Sequence, residues 1–126
     1  FLVRYKLLTT LRKIKEWDVI MLSGMFIEEK GTEYSTINKV LSAQTASGYI
    51  VNSQFYDKLL DVYYESERNL QLGKDYAIWA LDQNWKKLQP HCNWFIFSPP
   101  LGYQKKGFSD IEKRFVDYTK INLKKN

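Results

Sequence analysis

Apolar residues in this 126-residue chain fall in short, well-separated groups. Leu7, Leu8, Leu11 and Ile14 recur at helical spacing, with Arg4, Lys6, Arg12, Lys13 and Lys15 at other positions, which predicts an amphipathic helix over 2–16. Val19-Ile20-Met21-Leu22 is an unbroken apolar run closed by Ser23-Gly24, a pattern that suits a strand covered on both faces in a parallel sheet. Residues 24–36, with Gly31 and three glutamates, read as an exposed loop. Ile37 to Ala43 fits a strand or a helix equally well, and Tyr49-Ile50-Val51 reads as a short strand after Gly48. Phe55, Leu59 and Val62, widened by Tyr56, Leu60 and Tyr63, make one face of a helix over 53–66 that Asn52 or Ser53 could cap. A polar connection over 67–75 follows, then a helix over about 82–89 that stops at Pro90. Trp94-Phe95-Ile96-Phe97 is a further strand. Ser109 and Glu112 form an S-x-x-E capping box, which predicts a last helix over 109–118 with Ile111, Phe115 and Tyr118 on its apolar face.

Helices alternating with short apolar strands predict one layered α/β domain. Ligands in such sheets sit at the carboxyl ends of strands, which directs attention to Ser23-Gly24, Asn52 and Ser98-Pro99. The net charge of +5 is split: +4 over residues 1–16, −3 over 17–103 and +4 over 104–126. A continuous basic stripe, the usual mark of a nucleic-acid binder, is absent, so solvated helix faces and a lysine-rich tail account for most of the charge. Phosphate attraction near residues 104–114 is the competing explanation. Cys92 is the single cysteine, and Cys92 with His91 is too sparse for a zinc site. No apolar run reaches the length of a membrane-spanning helix, and no signal-peptide pattern is visible. These features point to the cytoplasm, with membrane-peripheral attachment or the secretory-pathway lumen as alternatives.

Three segments could carry chemistry. Gly48, in Ala46-Ser47-Gly48-Tyr49, permits a close backbone approach to a ligand, or simply a turn before a strand. Asp82 could be a helix N-cap, or a general base that takes the proton of an attacking hydroxyl. Trp85, one turn on, could be core or a platform for the apolar face of a sugar. Gln104, Lys105 and Lys106 lie in a Gly/Pro-punctuated loop ahead of Ser109, where phosphate could meet lysines and helix N–H groups, although Asp110 would repel it. Dinucleotide, P-loop, zincin and nucleophile-elbow motifs are missing, as is any Asp-x-Asp.

Taken in order, four segments resemble family 25 glycosyltransferases: Trp17 to Gly24, Gln44 to Asn52, Leu81 to Pro90 with Trp94 following, and Gly102-Tyr103-Gln104 leading to Phe108-Ser109-Asp110-Ile111-Glu112. The resemblance covers about residues 5–118. It implies a GT-A-like nucleotide-sugar fold and inverting transfer of a hexose, galactose or glucose, from a UDP-sugar to a glycan or protein hydroxyl, usually with Mn²⁺. Relatives of this type include lipooligosaccharide and collagen hydroxylysine glycosyltransferases. Under the resemblance Gly48 and Tyr49 lie near donor and acceptor. Asp82 serves as base or holds the acceptor, with Trp85 beside it, and Gln104, Ser109 and Asp110 close over the donor. The family's Asp-rich metal motif would fall before Phe1. Residues 1–119 are therefore expected to be the C-terminal part of such a domain, followed by a basic tail over 120–126. A non-catalytic carbohydrate- or partner-binding remnant of the same fold is the alternative.

Overall fold

The computed structural model describes residues 2–109 and 113–116. A five-stranded mixed sheet is flanked by helices. Its strands are β1 (Val19–Met21), β2 (Met25–Lys30), β3 (Ile37–Gln44), β4 (Tyr49–Val51) and β5 (Trp94–Phe97), arranged in the order β2-β3-β5-β1-β4. β1 and β5 run parallel, with Ile20 opposite Phe95; the other pairings are antiparallel. The sheet is therefore mixed, although β1 and β5 are buried along their whole length as an apolar run predicts.

Successive strand side chains point to opposite faces. Ile20, Ile37, Phe95 and Phe97 pack on one face with Leu7, Leu11 and Ile14 from the α1 segment; α1 itself spans Leu2–Lys13. Val19, Met21, Val40, Trp94 and Ile96 pack on the other with Phe55, Leu59 and Val62 from the segment of α2 (Tyr56–Gln71) and with Trp85. Trp85 and Trp94 meet edge-to-face at 5.2 Å, and Tyr49 and Phe55 extend the aromatic row at either end. Arrangements of this kind add a fraction of a kcal/mol to about 1.5 kcal/mol each beyond area burial.

Several expectations are corrected. Residues 25–30 form an edge strand instead of a loop: Met25 and Ile27 point inward, and the charged residues that follow are what an exposed sheet edge favours. Ile37 to Gln44 is a strand. The helix expected over 53–66 opens with a 3₁₀ turn, Ser53–Phe55, and runs on to Gln71, so much of the expected polar connection is helical. Its end is a Schellman motif: Gly73 has φ +76°, its N–H donates to Leu70 O (2.9 Å), and Lys74 N–H donates to Asn69 O (3.1 Å). Neither cap proposed for the start is made, since Asn52 Nδ2 donates instead to Trp17 O (3.0 Å).

The helix expected over 82–89 is a chain of short turns: α3 (Tyr76–Trp79), α4 (Leu81–Asn84), then 3₁₀ turns at Trp85–Lys87 and Gln89–His91. Pro90 sits in the first turn of the last one, where its missing N–H costs nothing, so it starts a turn instead of ending a helix. The capped helix over 109–118 is replaced by a hairpin, β6 (Gly107–Ser109) and β7 (Arg114–Val116), in which Phe108 lies opposite Phe115. Lys113 has φ +55°, a left-handed value that a continuous helix could not contain. Ile111 and Glu112, and the basic tail, lie outside the described residues.

Two polar anchors hold the irregular segment to the regular layers. Gln89 is fully buried; its Nε2 donates to Ala43 O (2.9 Å) and its Oε1 accepts from Ala43 N–H (2.8 Å). Asn84 Nδ2 donates to Val62 O (3.2 Å), Ser66 Oγ (3.1 Å) and Glu65 Oε1 (2.9 Å), and Glu65 is also paired with Lys87. The Lys87 hydrogen bond, then that from Asn84, hold the Glu65 carboxyl below its ordinary range. A depressed carboxylate stabilises the fold above its unfolded value of about 4.3 and ceases to do so as pH falls through its lower folded value. Urea melts of wild type and Glu65→Gln should therefore differ at pH 7 and converge in acid. Gln89→Leu strands a buried Ala43 N–H and is expected to lower stability by about 2 kcal/mol in the same measurement.

Candidate functional site at the carboxyl end of the parallel strands

Beyond β1 the chain continues through Leu22, Ser23 and Gly24, and beyond β5 through Ser98 and Pro99. Because β4 runs antiparallel to β1, the residues that precede it share this end of the sheet. Leu22 N–H donates to Gly48 O (2.9 Å), and Leu101 N–H donates to Leu22 O (2.8 Å). Ser23 Oγ and Ser47 Oγ are hydrogen-bonded at 2.7 Å. Asn52 lies at the opposite end, where its N–H donates to Asp18 O (2.9 Å), so it is removed from the expected set.

Gly48 presses its backbone on Leu22: a Cβ there would stand 3.3 Å from Leu22 Cδ1. Gly24 is tighter, since a Cβ would meet the Gln44 carbonyl oxygen at 3.3 Å and Met21 Cε at 3.1 Å. Both glycines let loops crowd the strand end without a side chain between them.

Asp82 is half-buried at the start of α4, and its Oδ2 accepts from Thr45 N–H (3.0 Å). Thr45 has φ +81°, a conformation that a β-branched residue adopts only when its surroundings impose it. Such strain costs of order 1–3 kcal/mol and concentrates at functional sites. Next to this pair, Lys86 Nζ donates to Gln44 Oε1 (2.8 Å) and Gln83 Oε1 (2.8 Å). Tyr49 and Tyr63 share a hydroxyl hydrogen bond of 2.8 Å. Burial, then the Tyr49 bond, push Tyr63 far above the ordinary tyrosine value, and the charge of Asp82 adds a smaller push in the same direction. The Tyr63 phenol therefore stays protonated.

Thr45, three residues before Gly48, is thus bonded to Asp82, and Tyr49 is bonded to Tyr63, which feels the Asp82 charge. Trp85 differs from the expected site-edge ring: it is fully buried, its Nε1 donates to Ala43 O (2.9 Å), and it is closed to any sugar face. Gln104 lies on an exposed stretch after Leu101, with no described bond to the Asp82 group. Ser109 is placed in β6, opposite Arg114, and Asp110 lies outside the described residues. Lys86 and the Ser23–Ser47 pair carry no motif; only the position of Ser23 after a strand hinted at them. Among the described residues no three His, Cys, Asp or Glu side chains gather into a metal-binding group.

No protein-family model matches the chain, and no curated protein or solved structure matches it. Asp82→Ala removes the acceptor that holds the strained Thr45 peptide. A loss of about 1 kcal/mol in chemical denaturation is expected.

Proposed function

We propose that this chain is the acceptor-side portion of an inverting, UDP-sugar-dependent glycosyltransferase of the family 25 type, built on a GT-A-like fold. The observation that carries this reading is convergence. Segments that resemble the family at Trp17–Gly24, Gln44–Asn52 and Leu81–Pro90 are far apart in sequence. They meet through Leu22–Gly48, Ser23–Ser47 and Thr45–Asp82 at the sheet end where α/β folds hold ligands.

In this reaction the acceptor hydroxyl oxygen forms a bond to the anomeric carbon of a hexose, galactose or glucose. The bond from that carbon to the UDP oxygen breaks, and UDP leaves with the electron pair. Asp82 accepts the hydroxyl proton. Its Oδ2 is held by the Thr45 N–H, so the group is oriented before substrate arrives. The Tyr63–Tyr49 hydroxyl pair uses one proton between its members and leaves one donor to hold a sugar oxygen nearby. The resemblance implies Mn²⁺ at the leaving diphosphate, a charge-neutralising role. The described residues form no donor set for it, so no step is assigned to it here.

Transfer is tested by UDP release from UDP-galactose and UDP-glucose, with and without glycan acceptors. Asp82→Asn should lower turnover by about 10²–10⁴-fold while the melting transition survives. Undiminished turnover in that variant would remove Asp82 as the base. Absence of UDP release from the wild-type polypeptide would favour the non-catalytic binding remnant.

A further inference from the structure

We propose that a second site, on the α1 face of the sheet, binds a single hexose-type ring. It does not rest on the transfer reading and shares no residue with the Asp82 group. A cavity of about 180 Å³ lies between the last turns of α1 and the loop that leads into β3. At about 30 Å³ per water this is the space of roughly six waters, close to that of one hexose.

The lining suits such a ligand. Thr10, Ser35 and Thr36 contribute hydroxyls, Tyr34 an aromatic wall, and Glu33 and Lys13 one charge of each sign. Thr10 is only 3 % exposed, yet its Oγ1 forms a single described side-chain bond, to Thr36 Oγ1 at 2.9 Å. A hydroxyl has one donor and two acceptor positions, so both oxygens keep capacity for a ligand that can donate and accept alike. Sugar hydroxyls are of that kind. Tyr34 packs against the core on the α1 face, which holds its ring in place. The Glu33 carboxylate can accept from two vicinal hydroxyls at once.

A phosphate fits less well. Glu33 offsets Lys13, and the carbonyl end of α1 carries partial negative charge. The cavity is also tied to the ligand end of the sheet, because Ser98 N–H, just past β5, donates to Thr36 O (3.0 Å). A sugar held here lies on the opposite face of the sheet from Asp82.

The test titrates free galactose and glucose into the protein while backbone amide NMR shifts are recorded. Shifts centred on Thr10, Tyr34 and Thr36 are expected for at least one sugar. Glu33→Gln should weaken that binding about tenfold, because a charged acceptor is replaced by a neutral one. Thr36→Val should weaken it in the same direction, and Asp82→Asn should leave it unchanged. Glu33 is exposed, so its variant keeps the test decisive even if Thr36→Val fails to fold. The proposal is overturned if neither sugar shifts the lining at its solubility limit. It is also overturned if Glu33→Gln binds as wild type does, or if only inorganic phosphate responds and Lys13→Met abolishes that response.

Discussion

The peptide groups of Ala43 hold together the two halves of this structure. Ala43 is fully buried at the inner end of β3, and its N–H and C=O are taken by one glutamine amide, that of Gln89. Trp85 Nε1 donates to the same carbonyl. Side chains therefore do here what a neighbouring strand would do, and an unpaired buried peptide would cost about 1–3 kcal/mol. Two further bonds follow toward solvent: the Gln44 side-chain Oε1 accepts from Lys86 Nζ, and the Thr45 N–H donates to Asp82. A segment of short turns is thus stapled to a strand at three successive residues. That staple places Asp82 at the strained peptide of Thr45.

A cation closes the other end of the segment. Lys39 Nζ donates to Val40 O (3.1 Å) and Cys92 O (2.6 Å), and also to Gln89 O. Burial pushes its pKa below the ordinary lysine value, while three carbonyl dipoles favour the ammonium. Asn84 adds a third fixed point on α2. With both ends and the middle pinned, residues 81–92 need little helical regularity. Their carboxylate is nonetheless held to a defined orientation, the preorganisation that general-base chemistry requires.

The sequence made the deeply buried elements legible. Val19–Met21 and Trp94–Phe97 are strands because continuous apolar runs leave no other economical place for them, and Phe55, Leu59 and Val62 mark the inner face of α2. Elements whose outer side meets water were harder to read. The charged edge of β2 looks like a loop, and Ser109 with Glu112 looks like a capping box although Gly107–Ser109 pairs with Arg114–Val116. Polar contacts distant in sequence left no local trace: nothing around Gln89 announces that it completes β3. For the candidate site, Gly48 and Asp82 were visible as residue types in suggestive places. The bond from Thr45 to Asp82 depends on the staple at Ala43, which no window of sequence contains.

In the proposed reaction the Asp82–Thr45 group at the carboxyl end of β1 and β5 faces the reacting sugar. A crystal structure of the protein bound to a non-transferable UDP-hexose and an acceptor glycan tests it. The acceptor hydroxyl is expected within hydrogen-bond distance of the Asp82 carboxylate, about 2.6–3.2 Å, with the anomeric carbon beyond it. A complex with both ligands seated away from Asp82, and the Thr45–Asp82 bond intact, would contradict the account and leave that carboxylate as a brace for a strained peptide.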